Sequence, residues 1–350
     1  MERIYKYESY DHEYERELCE RFHDIIPERV FDSHFHLSPT AVSDSDKRQL
    51  IPECYREVAP DQVLDAHRDV TEMYVGKGKL KGGLLLGNPA KFPTLEATDA
   101  DRTFICETAA AHEGFVAGII TRPQDGQQHI ADFIERYPCI AALKPYKTYT
   151  DVENNFEADL ISFTPEWMWE LAEHYSLPIV VHLSHYGDML KDKANIRDIR
   201  YICQKYPHAK MVLAHCALGH HPDKLNSGIP QIADLPNIYM DCSGVSEALS
   251  IIYSLRAFGP SRLMYGSDGY GFGIGFSRVF AVGSNFMGLG KLDTQLPPDY
   301  QYRPLNNICE NLLALTSACD VCGLTRDELD QLYYGTAAEL YYNTNKNAKK

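Results

Sequence analysis

The chain has 350 residues, 44% of them hydrophobic and 24% charged, and a formal net charge of −15 from 34 basic and 49 acidic side chains. That length can bury a large core without disulfide or metal staples, as two domains of about 150 residues or one α/β barrel of about 250 or more. The acidity counts against nucleic acid and anionic membrane surfaces as partners, because both need clustered Lys and Arg; it leaves room for a local cationic pocket around a small molecule.

Residues 1–28, beginning MERIYKYESYDHEYERELCERFHD, are charged throughout and read as a helical extension rather than a secretory leader, which would need an apolar stretch. No run of about 18 apolar residues suggests a membrane span. Eight short apolar runs follow: 29–36, 81–89, 115–123, 139–147, 178–185, 209–217, 237–244 and 262–268. They are rich in Val, Ile, Leu and Tyr and end in Gly, Pro or polar residues, as strands buried on both faces do.

Helical segments separate them. TDADRTFICETAAAHE is expected to start on a Thr98/Asp99 cap, and TPEWMWELAEHYS on Thr164 with Pro165 in the first helical position. IRDIRYICQKYP and SEALSIIYSLRAFG follow the same grammar, the second stopping at a glycine. Strands alternating with helices mean a parallel sheet wound through crossovers, and eight is the number that closes a (β/α)8 TIM barrel. The expected organisation is α/β: an extension at 1–28, one barrel domain at 29–343 and a flexible polar tail at 344–350. Stretches 40–80 and 269–304 read as long βα-loop insertions that build the mouth. The ten cysteines are scattered, with only Cys319 and Cys322 close together, so they read as reduced, buried thiols of a cytoplasmic protein.

The histidines cluster at strand ends. His34 and His36 close the first strand, His182 the fifth and His215 the sixth, while Asp268 closes the eighth. The C-terminal ends of barrel strands converge on one mouth. Residues two apart on a strand share a face, so Asp32, His34 and His36 are expected to point the same way. Two such imidazoles with His182 and Asp268 make a three-His, one-carboxylate set suited to one divalent ion, Zn²⁺ first, with Mn²⁺ or Fe²⁺ as alternatives. Asp32 then reads as an acceptor for an imidazole N–H.

The motifs VFDSHFHL, PIVVHLSH, MVLAHCALGHH and RLMYGSDGYG, with the closing YYGTAAELYYN, resemble those of the amidohydrolase superfamily, and most of all its amidohydrolase-related group of TIM-barrel hydrolases and decarboxylases. The resemblance implies that His34, His36 and His182 bind metal and that Asp268 binds metal or the nucleophilic water. It places His215 beside that water or the substrate, which makes Asp268 and His215 the expected catalytic pair.

Substrate contacts are expected from Lys144, where other superfamily members carry a bridging carbamylated lysine, and from Arg122 as a carboxylate fork. His185 and Ser243 join that set, with Asp241, Lys147 and Tyr146 as neighbours. His220 and His221 read as an exposed turn pair. The implied reaction is attack of metal-bound hydroxide on an amide, lactone or ester of a small, carboxylated molecule. Non-oxidative decarboxylation is the alternative, and a silent binding barrel is the remaining one. The resemblance is compatible with a homodimer. GFGIGF does not match a dinucleotide fingerprint, and no GxSxG elbow exists, so Rossmann and serine-hydrolase chemistry drop out.

Overall fold

A computed structural model describes residues 12–37, 59–88, 94–185, 188–269, 278–283, 285–288 and 305–344. Its centre is an eight-stranded parallel sheet in the order β1 to β8. The strands are β1 (Val30–Leu37), β2 (Leu80–Gly87), β3 (Phe115–Thr121), β4 (Ile140–Pro145), β5 (Pro178–Val181), β6 (Lys210–Leu213), β7 (Ile238–Asp241) and β8 (Leu263–Met264). Every expected strand forms, at or within a few residues of its expected position.

Helix α1 (His12–Ile25) precedes the barrel. Helices α2 (Val63–Val75), α3 (Leu95–Ala111), α4 (Gln127–Arg136), α5 (Glu166–Tyr175), α6 (Lys193–Lys205), α7 (Pro222–Gly228), α8 (Ala248–Phe258) and α9 (Asn307–Cys322) follow β1 to β8 in turn. The stretch expected as an insertion at 40–80 therefore contains the first barrel helix, α2, and the start of β2. Residues 38–58, which include its first part, lie outside the described residues, as do most of 269–304 and the end of the tail, 345–350. A two-stranded ribbon, β9 (Val279–Val282) with β10 (Asn285–Gly288), falls within the second stretch.

Two helix starts differ from expectation. The N-cap of α3 is Thr94, whose side chain accepts from Ala97 N–H, one turn earlier than Thr98/Asp99. At α5 the cap position is held by Pro165 itself, and the Thr164 hydroxyl turns back to donate to the Leu160 carbonyl instead. Helix α8 does stop at a glycine, Gly259, whose φ of 67° suits a residue without Cβ.

Period-two alternation divides the strands between two apolar cores. Leu84, Leu86, Val180, Val212 and Met264 pack inside the barrel with Phe31. Leu85, Ile179, Val181, Met211 and Leu213 pack outward under the helices with Val30 and Phe35. The floor is filled from helix α10 (Thr336–Tyr342), whose Ala337 and Tyr341 join the inner cluster and whose Tyr341 ring stacks on Phe31 at 5.9 Å.

Strand β1 breaks this alternation. Asp32 pairs with Gly83 but Phe35 with Leu85, so β1 carries one extra residue between them, a β-bulge. The bulge resets the pleat: Phe31 faces in, Asp32 faces the outer helices, and His34 and His36 face in again. Asp32 therefore does not share a face with the two histidines, contrary to the simple two-residue rule. Its carboxylate accepts from Ser267 N–H (2.8 Å) and the Ser267 hydroxyl, and lies 3.4 Å from His67 Nε2 on α2.

These contacts close the barrel. Ser33 N–H donates to the Tyr265 carbonyl (3.0 Å) and Asp268 N–H to the His34 carbonyl (2.8 Å), joining the first strand to the segment after the last. Removing the Asp32 carboxylate strands the buried Ser267 donors. Asp32→Ala is expected to cost roughly 3 kcal/mol of stability, read as a drop of about 5 °C or more in the thermal midpoint.

Candidate metal centre

The C-terminal strand ends bring four imidazoles together. The rings of His34 and His36 are 5.3 Å apart, those of His34 and His215 4.8 Å, and those of His182 and His215 5.2 Å. One ligand atom from each of His34, His36 and Asp268 lies within 4.8 Å of the others, and a second such group joins His34, His215 and Asp241. That spread is close to what side chains sharing one ion with bonds of about 2.0–2.2 Å can have. His182 is one ring further out, beside His215, and is not among the grouped ligand atoms.

The tautomers suit ligation. His34 Nδ1–H donates to Asp241 Oδ2 (2.9 Å), His36 Nδ1–H to the Gly87 carbonyl (2.8 Å) and His215 Nδ1–H to the Ser243 carbonyl (2.8 Å). In each ring this leaves the Nε2 lone pair for another partner. His34 is 0% exposed and its Nε2 has no hydrogen-bond partner among the described residues. Leaving such an atom unpaired costs roughly 1–3 kcal/mol, and a metal ion removes that cost. His36 Nε2 stands 3.6 Å from Asp268 Oδ1. Burial lowers the pKa values of His36, His182 and His215, helped by like-charged neighbours and, at His215, opposed by Asp268 and Asp241, which favours the neutral form that ligands need.

Asp241 organises the cluster. Its Oδ2 takes the His34 proton, and its Oδ1 accepts from the backbone N–H of His215 (3.0 Å) and Ser243 (3.1 Å) and from the Ser243 hydroxyl. Burial pushes its pKa up, but His34, His215 and the Ser243 hydroxyl outweigh burial and hold the carboxyl far below its usual range. The bond to His215 N–H pins an uncommon backbone. His215, Cys216, Ala217 and Leu218 have φ of 57°, 50°, 57° and 59°, a left-handed turn costing roughly 1–2 kcal/mol per residue for L side chains. Asp268 is left-handed too, with φ 52°, and the next residue must be small because a Cβ on Gly269 would sit 2.3 Å from His67 Cε1.

The expected substrate residues divide. Lys144, near the end of β4, is 0% exposed, and its Nζ has no hydrogen-bond partner among the described residues. Burial pushes its pKa down to about 8 against the opposing pull of Asp241 and Asp268. Ser243 contacts His215 Nδ1 through its hydroxyl (2.9 Å) as well as its carbonyl, so it steadies that ring. Arg122 gives its Nε and its backbone N–H to Asp125 and one terminal nitrogen to the Thr94 carbonyl (3.4 Å), so its fork is already engaged. The His185 ring lies among Glu157, Asp159 and Asp192, at 3.4–3.7 Å.

Three residues depart from the sequence reading. Asp32 accepts the His34 backbone N–H (3.3 Å) rather than a metal-site imidazole proton. His220 is 4% exposed, not on an exposed turn, and burial beside His215 pushes its pKa down to about 3. Asp101 on α3, read only as one acid in TDADR, is buried at the rim of the site. Its Oδ2 fills the space where a Cβ on Gly87 would go. No sequence signal distinguishes it from Asp99, two residues before.

The family model described as amidohydrolase matches residues 31–342. The chain belongs to the amidohydrolase family. Its fold is shared by a zinc-bound amidohydrolase from Burkholderia multivorans (14% identity, TM-score 0.53) and by 5-carboxyvanillate decarboxylase from Sphingomonas paucimobilis (14%, 0.53). It is shared also by 2,6-dihydroxybenzoate decarboxylase from Rhizobium (12%, 0.51). Each match covers 90% of this chain, and 99%, 99% and 98% of the three others in turn. None of the curated proteins matches. No helix among the described residues of this amidohydrolase-family chain is long and apolar enough to cross a membrane.

Because Asp241 holds His34 in its ligating tautomer, Asp241→Asn is expected to weaken zinc binding by about 10–100-fold, measured by competition against a chromophoric chelator.

Proposed function

We propose that this amidohydrolase-family enzyme is a hydrolase that opens an amide, lactone or ester of a small, carboxylated molecule at a single divalent metal site. The observation that carries the reading is the orphaned, fully buried Nε2 of His34 within reach of His36 and Asp268. His34, His36 and Asp268 would hold the ion, Zn²⁺ first, with His182, whose ring lies 5.2 Å from that of His215, as a fourth ligand. A divalent ion bound there acts as a Lewis acid and brings the pKa of bound water toward about 7.

The chain's own groups supply the rest. The Asp268 carboxylate, through the oxygen not spent on the ion, accepts a proton from the attacking water and returns it to the leaving group. His215, its Nδ1–H given to the Ser243 carbonyl, presents Nε2 to the same water and orients it. Lys144 pairs with the substrate carboxylate: a buried ammonium without a partner is paired on binding an anion. Asp241 and Ser243 hold His34 and His215 still, and a preorganised site needs such support. Arg122 and His185, already engaged with acids, have structural roles in this reading. The acting partner is a small molecule.

The same Lys144 also favours a second reading, decarboxylation, in which it holds the carboxylate that leaves and a proton replaces carbon dioxide. Two of the proteins sharing the fold carry that activity in their names. The two separate by product: hydrolysis consumes one water per turnover and releases an acid or alcohol, whereas decarboxylation releases carbon dioxide.

Elemental analysis of the purified, unchelated protein is expected to find about one zinc per chain. His34→Ala should lose both metal and turnover, and Asp268→Asn should lose turnover with the fold retained by circular dichroism. Wild-type turnover in either variant removes the assignment. Lys144→Met should raise KM for carboxylated substrates by about tenfold or more.

A further inference from the structure

Strand β7 ends at Asp241 and leads into a tight turn, Cys242 to Val245, closed by a hydrogen bond from Val245 N–H to the Cys242 carbonyl (3.2 Å). Its two central residues each face a different member of the metal centre. The Ser243 carbonyl receives His215 Nδ1–H (2.8 Å). Gly244, with φ 66°, lies against Asp268: a Cβ there would stand 3.3 Å from Asp268 Oδ2 and 3.7 Å from Asn307 Oδ1. The positive φ at the third position of such a turn favours glycine. Where this turn sits therefore sets the pose of one imidazole and one carboxylate together.

Helix α9 holds the turn. Asn311 is 0% exposed, and its Nδ2 donates to the Cys242 carbonyl (2.6 Å) and the Val245 carbonyl (2.8 Å), one on each side of Gly244. Asn307, four residues earlier, shares that helix face. The helix is itself tied to the N-terminal extension. Asn306, at the cap position of α9, donates its backbone N–H to Glu15 Oε1 (2.8 Å), and its Nδ2 to Glu15 Oε2 (3.2 Å) and Tyr74 OH (3.0 Å). An asparagine at that position ordinarily caps its own helix, but this one makes no such bond and is spent on α1 and α2.

We propose that Asn311 is a positioning residue of the metal centre: it fixes the Cys242–Val245 turn and, through that turn, the His215 ring and the Asp268 carboxylate. The assignment rests on the reading of the histidine cluster with Asp268 as a metal centre. Glycine leaves a backbone free to take many conformations, so this turn needs an outside hold. Two buried carbonyls bonded to one amide supply it. Groups that orient metal ligands contribute to affinity as well as to stability, because the ligands are aimed before the ion arrives.

The test compares Asn311→Leu with Asn237→Leu. Asn237 is a similarly buried asparagine (2% exposed) whose Nδ2 donates to the Cys203, Tyr206 and Ala209 carbonyls. It stands just before β7, at the end of the barrel away from the mouth. Both variants leave buried carbonyls unpaired and should lower the thermal midpoint. Asn311→Leu alone should also raise the zinc Kd, by about fivefold or more, in competition against a chromophoric chelator well below the midpoint. It should also shift the visible absorption bands of the cobalt(II)-loaded protein, which Asn237→Leu leaves in place. Asn311→Ser, smaller and with a hydroxyl still able to donate, should give part of the same rise and carries the test if Asn311→Leu does not fold. A zinc Kd and cobalt spectrum unchanged in the Asn311 variants, or moved equally by Asn237→Leu, overturns the proposal. His34→Ala is measured beside them. If it holds zinc as tightly as the wild type, the metal reading fails and this assignment with it. If it loses zinc while the Asn311 variants keep the wild-type Kd, the positioning role alone falls.

Discussion

The extra residue in β1 between Asp32 and Phe35 is the constraint on which the site depends. Without it, alternation from the inward Phe31 would put Ser33 and Phe35 inside and turn both histidines out under the helices. With it, His34 and His36 face the barrel and Asp32 faces α2 and Ser267. The same bulge frees Ser33 N–H and the His34 carbonyl from the β1–β2 ladder to bond Tyr265 and Asp268 across the seam. Closing the barrel and carrying Asp268 to His36 are thus one event. A bulge re-aiming a side chain beside a functional site is a recurrent use of that irregularity.

Around this seam the protein commits its polar groups inward from the outside. Asp32 fixes Ser267, which precedes Asp268; Gly87 fixes the His36 tautomer; Asp241 fixes His34, His215 and Ser243 at once. Each Nδ1 proton is taken by a fixed acceptor, so the Nε2 atoms have their orientation set before any ligand arrives. The left-handed run from His215 to Leu218 belongs to the same economy of position. Backbone that is unfavourable by itself is held by the Asp241 carboxylate from β7, and such strain collects at functional sites.

The acidic surface and the site are separate electrostatic worlds. A net charge of −15 surrounds a mouth whose wall holds a buried ammonium, Lys144, and a second lysine, Lys147, whose pKa burial pushes down to about 7. The positive charge at the β4 end is therefore a local feature within an acidic protein, set where desolvation makes a charge count for more than it would in water.

The eight strands, the intervening helices and the residues at the strand ends were legible in the sequence. Apolar runs of strand length and helical repeats are local patterns, and a closed parallel barrel brings every C-terminal strand end to one mouth whatever the details. His34, His36, His182, His215 and Asp268 stand at strand ends by that geometry, while the resemblance to the amidohydrolase superfamily supplied their roles and drew attention to Lys144. The two-residue rule failed for Asp32 because a bulge is a property of the pairing with β2, not of β1. Arg122 and His185 read as free ligand-binding groups because their acid partners, three residues away or on another segment, are invisible to spacing. His220 read as exposed because a turn dipeptide carries no mark of what packs over it. Asp101 had no signal, since its burial depends on Gly87 of a neighbouring strand and on Arg102 being occupied elsewhere. Sequence by itself determined the architecture and the set of residues at the mouth, because these are set by short-range periodicity. Tertiary structure alone decided which of them are paired and which are left for a ligand, because pairing is settled by contacts between segments far apart in the chain.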